Sequence, residues 1–254
     1  MQSWPRRRSG GGLRPLSNAT ERRIVCYISD RIGLGADYGG AVGVKLEAMR
    51  VAGLLARTRW AIEAGVDWIQ IREKNLGGAL LAQLARVAVA NAGMAGRPQP
   101  RTRVIVNDRL DVAVAAGAGG VHLGRESLPV REVFKWREKE ISGSDALANF
   151  WIGASCHSLE EARVAADDGA DYLIFGPVFE TPSKIKFGAP LGIERLRQVC
   201  SQIRIPVLAI GGISLANAAK CFEAGAAGIA AIRLFQEVES AQELRQRTAG
   251  LRSA

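Results

Sequence analysis

A chain of 254 residues with 48% hydrophobic content can bury a sizeable core, as one large α/β domain or two small ones. No apolar run reaches the roughly 18–20 residues of a membrane span, so no membrane partner is expected. The formal charge of +9 is unevenly placed: residues 1–23 carry six Arg and one Glu, which leaves +4 on the other 231. With few aromatics among its charges, the body is not expected to bind nucleic acid. Its modest positive surplus suits anionic small molecules.

Residues 1–23 contain a double arginine with no apolar stretch behind it, so neither a secretory nor a twin-arginine signal is expected. They read as a disordered basic leader to a domain spanning 24–254. Cys26, Cys156, Cys200 and Cys221 form no CxxC pair and no metal-ligand spacing, as expected of reduced thiols in a cytoplasmic protein. Nothing in the sequence excludes a homo-oligomer.

From residue 24 onward the chain repeats. At Gly65, Gly117, Gly169 and Gly225, spaced by 52, 52 and 56 residues, a helical stretch closes on glycine and an apolar run follows. Four more apolar runs lie between them, at 24–29, 103–107, 150–155 and 206–212. Helices are predicted near 46–64, 77–93, 109–117, 129–138, 158–168, 191–202, 214–224 and 239–251, with Ser158 and Glu161 forming a capping box. Eight strands alternating with helices point to a single (β/α)8 TIM barrel. An open doubly wound sheet is the competing fold. It is disfavoured by the count of eight and by a first strand that ends in Ser29-Asp30-Arg31 without a glycine loop. A Gly-rich insertion at 31–45 and a polar loop at 139–149 carry no readable motif.

In such a barrel the chemistry collects at the carboxy ends of the strands. In chain order these ends offer Gln70, Arg72 and Lys74, alternating so as to share one side, then Asn107 and Asp108, and then His122 with Arg125, Glu126 and Ser127. Ser155 and His157 follow, then Thr181, Ser183 and Lys184, then Gly211-Gly212, and last Arg233. Asp108 reads either as a cap for the next helix or as a Mg²⁺ ligand. His122, inside an apolar run, reads as a satisfied core histidine, and His157 as the better functional candidate. Two glycines beside a helix N-terminus make a phosphate cradle. Together with Arg72, Lys74 and Lys184, they indicate a site for a phosphorylated or pyrophosphorylated small molecule.

The strings QIREK, VIVNDRLDVAVAAGAGGVHLG, IGASCHSLEEA, GADYLIFGPVFETPSK and IPVLAIGGI, over about residues 24–235, resemble the thiamine phosphate synthase family and its relative the thiazole tautomerase. The resemblance implies a barrel enzyme, a transferase, that joins a pyrimidinylmethyl diphosphate to a thiazole phosphate with Mg²⁺. It implies that Gln70, Arg72, Lys74 and Asn107 surround the pyrimidine and its diphosphate, with Ser155 and Lys184 as further contacts. It also implies Asp108 as a Mg²⁺ ligand, and Thr181, Ser183 and Gly212 as the thiazole phosphate site. Arg72, Lys74 and Lys184 would stabilise the departing pyrophosphate.

Two departures stand out. The family's GVHLGQxD pattern reads GVHLGRES here, so Ser127 replaces an aspartate and Arg125 a glutamine. Arg233 stands where a serine is usual. These keep two alternatives in play. One is a tautomerase that moves a proton on thiazole phosphate carboxylate through His157. The other is a weakened barrel that binds thiamine intermediates without turnover.

Overall fold

The computed structural model describes residues 23–34, 40–94, 102–141, 149–181 and 189–254. The leader up to residue 22, and Ser183 and Lys184, lie outside the described residues. Eight strands, β1 (Ile24–Ile28), β2 (Trp68–Ile71), β3 (Arg103–Asn107), β4 (Gly120–Leu123), β5 (Trp151–Cys156), β6 (Tyr172–Phe175), β7 (Val207–Ile210) and β8 (Gly228–Ala231), form a closed barrel. Every pair is parallel, and β8 returns to β1 with Ile24 opposite Gly228. The (β/α)8 expectation holds, and the open sheet is excluded.

The helices are α1 (Gly43–Glu63), α2 (Gly78–Met94), α3 (Leu110–Ala115), α4 (Val130–Ile141), α5 (Leu159–Asp167), α6 (Gly192–Gln202), α7 (Ala218–Glu223), α8 (Arg233–Gln236) and α9 (Ala241–Ser253). The glycines closing the repeat have left-handed backbones, with φ of 75°, 65°, 101° and 94° at Gly65, Gly117, Gly169 and Gly225. The short α8 is unforeseen. The helix predicted over 214–224 is only α7, because Ser214 and Asn217 fold the start of that segment into a turn closed by Asn217 Oδ1. At α5, Ser158 Oγ accepts from Glu161 N–H at 3.1 Å as a capping box requires. The reciprocal carboxylate reaches His157 N–H, one residue earlier than expected.

Strand alternation divides the apolar residues into two cores. One side of each strand packs under the helices. The other fills the barrel with Cys26, Ile28, Ile105, Ile174, Leu208 and Ala230. Four residues that open their strands block its N-terminal end: Trp68, Arg103, Trp151 and Tyr172. Trp68 meets Trp151 edge-on at 5.1 Å and Tyr172 at 4.7 Å, and the Arg103 guanidinium lies 3.6 Å over the Trp151 ring. The Tyr172 ring crosses the barrel because β5 carries Gly153, where a Cβ would stand 2.1 Å from Tyr172 Cζ. All four cysteines are free thiols, and burial pushes Cys156 up to about 12. Among the described residues no helix is long and apolar enough to cross a membrane.

Candidate active site

The same alternation that plugs one end leaves polar side chains at the other. Gln70 on β2, Asn107 closing β3, His122 on β4 and Ser155 on β5 occupy inward positions on consecutive strands, with Asn107 opposite His122 in the β3–β4 register.

The first two of these residues and Asp108 form a relay whose polarity follows from chemistry. A carboxylate only accepts, so Asn107 presents its amide nitrogen to Asp108 Oδ2 (2.6 Å). The Asn107 carbonyl oxygen then accepts from Gln70 Nε2 at 2.8 Å. Gln70 is buried, and its Oε1 is left with no hydrogen-bond partner among the described residues. A buried acceptor of this kind is open to a further donor.

Asp108 is the only described non-glycine residue with a left-handed backbone, at φ 62°, a conformation aspartate tolerates better than most side chains. Its N–H donates to the His122 carbonyl at 2.8 Å, which fixes it one strand over. Its carboxylate also receives Ser127 Oγ and, at 3.4 Å, the Gly124 N–H. Helix α3 is preceded by Arg109 with no side-chain cap, so the capping alternative for Asp108 is not realised. Among the described residues no cluster of three or more His, Cys, Asp or Glu side chains could hold a metal, and Asp108 faces an amide and a hydroxyl rather than a second carboxylate.

His122 is buried and satisfied on both ring nitrogens, by Tyr172 Oη at 3.1 Å and Ser155 Oγ at 2.8 Å. Burial pushes its imidazole down to about 4; the Asp108 charge opposes this and the Arg72 charge adds to it. The ring is therefore neutral near pH 7. The reading as a satisfied histidine is right, but one partner is Ser155 of the predicted site, so His122 links the plug to the mouth. Its inward position in GVHL, beside Asn107, was the available signal.

Arg72 is half-buried, and among the described residues its guanidinium has no ion-pair partner. β2 ends at Ile71, so alternation does not extend to Lys74, which is exposed in the following turn. Thr181 is half-buried at the edge of the described loop. His157 donates from Nδ1 to the Gly176 carbonyl at 2.5 Å and lines a small cavity with Phe175, Arg195 and Gln198 on the helix side of the wall. It is thereby separated from the Gln70–Asn107–Asp108 group. Gly212 has φ 63°, and a Cβ there would meet the Glu180 carbonyl oxygen at 2.2 Å, so the glycine lets the loop after β6 lie against the end of β7. Arg125 pairs outward with Glu161 at 2.9 Å, and Arg233 faces Glu237 at 3.9 Å, both exposed.

Sequence reasoning missed Ser29, Arg31 and Glu73, three buried polar residues behind Arg72. Ser29 Oγ donates to Glu73 Oε1 at 2.6 Å, and Arg31 Nη1 to Glu73 Oε2 at 3.1 Å.

Residues 44–235 match the family described as thiamine monophosphate synthase. The thiamine-phosphate synthase of Chlorobium luteolum is 39% identical over 183 residues, covering 72% of this chain and 80% of that protein. That of Halalkalibacterium halodurans is 40% identical over 185 residues, covering 73% and 80%. The solved thiamine phosphate pyrophosphorylase from Pyrococcus furiosus superposes with a TM-score of 0.69 at 32% identity, covering 91% of this chain and 94% of that one. The barrel with its polar mouth, the shared sequence and the shared structure agree: the chain belongs to the thiamine monophosphate synthase family.

Proposed function

We propose that this chain is a thiamine phosphate synthase, acting in the cytoplasm on 4-amino-2-methyl-5-pyrimidinylmethyl diphosphate and thiazole phosphate. The observation that carries the reading, beyond family membership, is Gln70 Oε1, which has no partner among the described residues and stands at the end of a relay anchored on Asp108. An aminopyrimidine supplies the N–H donor this acceptor lacks. In the reaction the bond between the pyrimidine methylene and the diphosphate oxygen breaks, and its electron pair leaves with pyrophosphate. The thiazole nitrogen lone pair then forms the new C–N bond. Positioning and electrostatics do the work, with little proton transfer.

In this reading Gln70 and Asn107 orient the pyrimidine, while Arg72, Lys74, Ser155 and Lys184 receive the diphosphate. Thiazole phosphate falls to Thr181, Ser183 and Gly212. Asp108 is the residue that would hold Mg²⁺. One carboxylate suits an ion that commonly takes one or two carboxylates along with substrate phosphates. When bound, Mg²⁺ would supply charge neutralisation at the leaving pyrophosphate. The tautomerase reading draws no support from His157, whose Nδ1 is engaged by Gly176.

The test is to incubate the full chain with both substrates, with and without Mg²⁺, and follow pyrophosphate and thiamine phosphate. Mg²⁺-dependent formation of both products is expected. Substrate binding without product at any Mg²⁺ concentration would make it a binding protein, and turnover of thiazole phosphate carboxylate alone would make it a tautomerase.

A further inference from the structure

Behind Arg72 the ends of β1 and β2 are tied by a buried network of Ser29, Arg31 and Glu73. Ser29 grips the residue 70–72 segment twice: its N–H donates to the Gln70 carbonyl at 2.9 Å, and its Oγ accepts from the Arg72 N–H at 2.9 Å. A hydroxyl has one proton. Glu73 Oε1 takes that proton at 2.6 Å, which turns a lone pair of Ser29 toward Arg72. Glu73 is in turn held by the Arg31 N–H, 3.2 Å from each carboxylate oxygen, and by Arg31 Nη1 at 3.1 Å. Arg31 Nε continues to Glu47 on α1 at 2.5 Å. Removing any one partner of a buried, hydrogen-bonded pair leaves the other uncompensated, so such a network holds one geometry.

The arrangement separates two neighbouring arginines. Arg31 is buried and faces two carboxylates, Glu47 and Glu73. Arg72 is half-buried and faces none among the described residues, although its sequence neighbour is Glu73. Because Arg31 and Ser29 occupy the Glu73 carboxylate, that carboxylate does not pair with Arg72. The Arg72 backbone is meanwhile fixed one residue past the end of β2, where the sheet ladder no longer fixes it.

We propose that Glu73 is a positioning residue for the diphosphate site: through Ser29 it sets the backbone of Arg72, and by binding Arg31 it leaves the Arg72 guanidinium for the substrate. The proposal rests on the synthase reading for the identity of the anion, and the experiment separates the two. Inorganic pyrophosphate with Mg²⁺ is titrated into the full chain by calorimetry, and Arg72→Ala sets the reference for a lost guanidinium. Glu73→Gln is expected to weaken pyrophosphate about tenfold and to raise KM for the pyrimidine diphosphate, with KM for thiazole phosphate unchanged. On the Arg72→Ala background, Glu73→Gln should add less than about twofold, since residues that act through one another are not additive. A merely structural role would lower stability and add in full.

Ser29→Ala removes only the hydroxyl and carries the test if Glu73→Gln does not fold; about a fivefold weakening is expected, of the size of one lost hydrogen bond. Pyrophosphate affinity within about twofold of wild type in a folded Glu73→Gln or Ser29→Ala chain, or full additivity with Arg72→Ala, overturns the proposal while leaving the synthase reading intact. A wild-type chain that binds no pyrophosphate overturns both.

Discussion

The two ends of the barrel are built from the same strands and show opposite ways of treating an arginine. At the N-terminal end Arg103 lies over Trp151 and donates from Nη1 to the Gly119 and Asn149 carbonyls at 3.0 and 2.7 Å. At the C-terminal end Arg72 has no ion-pair partner among the described residues, and Gln70 beside it keeps an unpartnered acceptor. Both arginines sit at strand ends, so position alone does not tell structure from function. What separates the two arginines is their partners: Arg103 is spent on backbone carbonyls and a ring, whereas the Arg72 guanidinium is left for an anion at the mouth.

The sharpest way to break this comparison is Arg72→Ala. Loss of a cation that stabilises the departing diphosphate should lower kcat/KM about 100- to 1000-fold, with little change in the midpoint of urea unfolding. Steady-state kinetics beside a denaturation curve would check it. A large stability loss with ordinary activity would mean that Arg72 belongs with Arg103.

His122 joins the two ends, and its effect is on pH. Its pKa falls from 6.5 to about 4 through burial, so between those values the unfolded chain binds a proton that the native chain refuses. Stability from this group is full above about pH 6.5 and is lost as pH falls toward 4, by about 3 kcal/mol in all. Unfolding free energies at pH 7 and 4.5 should differ by less in His122→Gln than in the wild type.

At the plugged end, Arg103→Met should cost about 2 kcal/mol of stability, from lost hydrogen bonds to backbone carbonyls and the stacked contact with Trp151. Activity per folded molecule should be unchanged. A fall in kcat/KM without destabilisation would show that the plug shapes the mouth.

How far these ends were legible follows from the physics of each signal. Gly65, Gly117, Gly169 and Gly225 announce the repeat because a helix closed in the left-handed conformation favours glycine, and Gln70 and Asn107 follow from two-residue alternation. That signal stops where a strand stops. Lys74 and His157 lie beyond the ends of β2 and β5, where alternation no longer says which way a side chain faces. Glu73 drew no notice in the sequence because its partner Arg31 comes from the segment after β1, a contact across 42 residues that no local pattern encodes. Trp68, Trp151 and Tyr172 open different strands, and their meeting depends on barrel closure and on the space above Gly153.

The smallest expected effect bears on Ser127, at the mouth. Its hydroxyl donates to Asp108 Oδ1 and accepts the Gly124 N–H at 2.6 Å, so the loop after β4 is closed on the carboxylate proposed to hold Mg²⁺. Ser127→Asp would exchange that donor for a second carboxylate, and like charges so close are relieved by a cation. Mg²⁺ affinity, measured by calorimetry in the presence of inorganic pyrophosphate, should rise by about three- to tenfold, since ligand charge tunes such sites. The apo chain should lose about 1 kcal/mol, because the carboxylates repel and a hydrogen bond to Asp108 is gone. Stability and metal affinity would then move in opposite directions. If both stay unchanged, the ion belongs elsewhere in the mouth, and Asp108 serves only to orient Asn107 and Gln70.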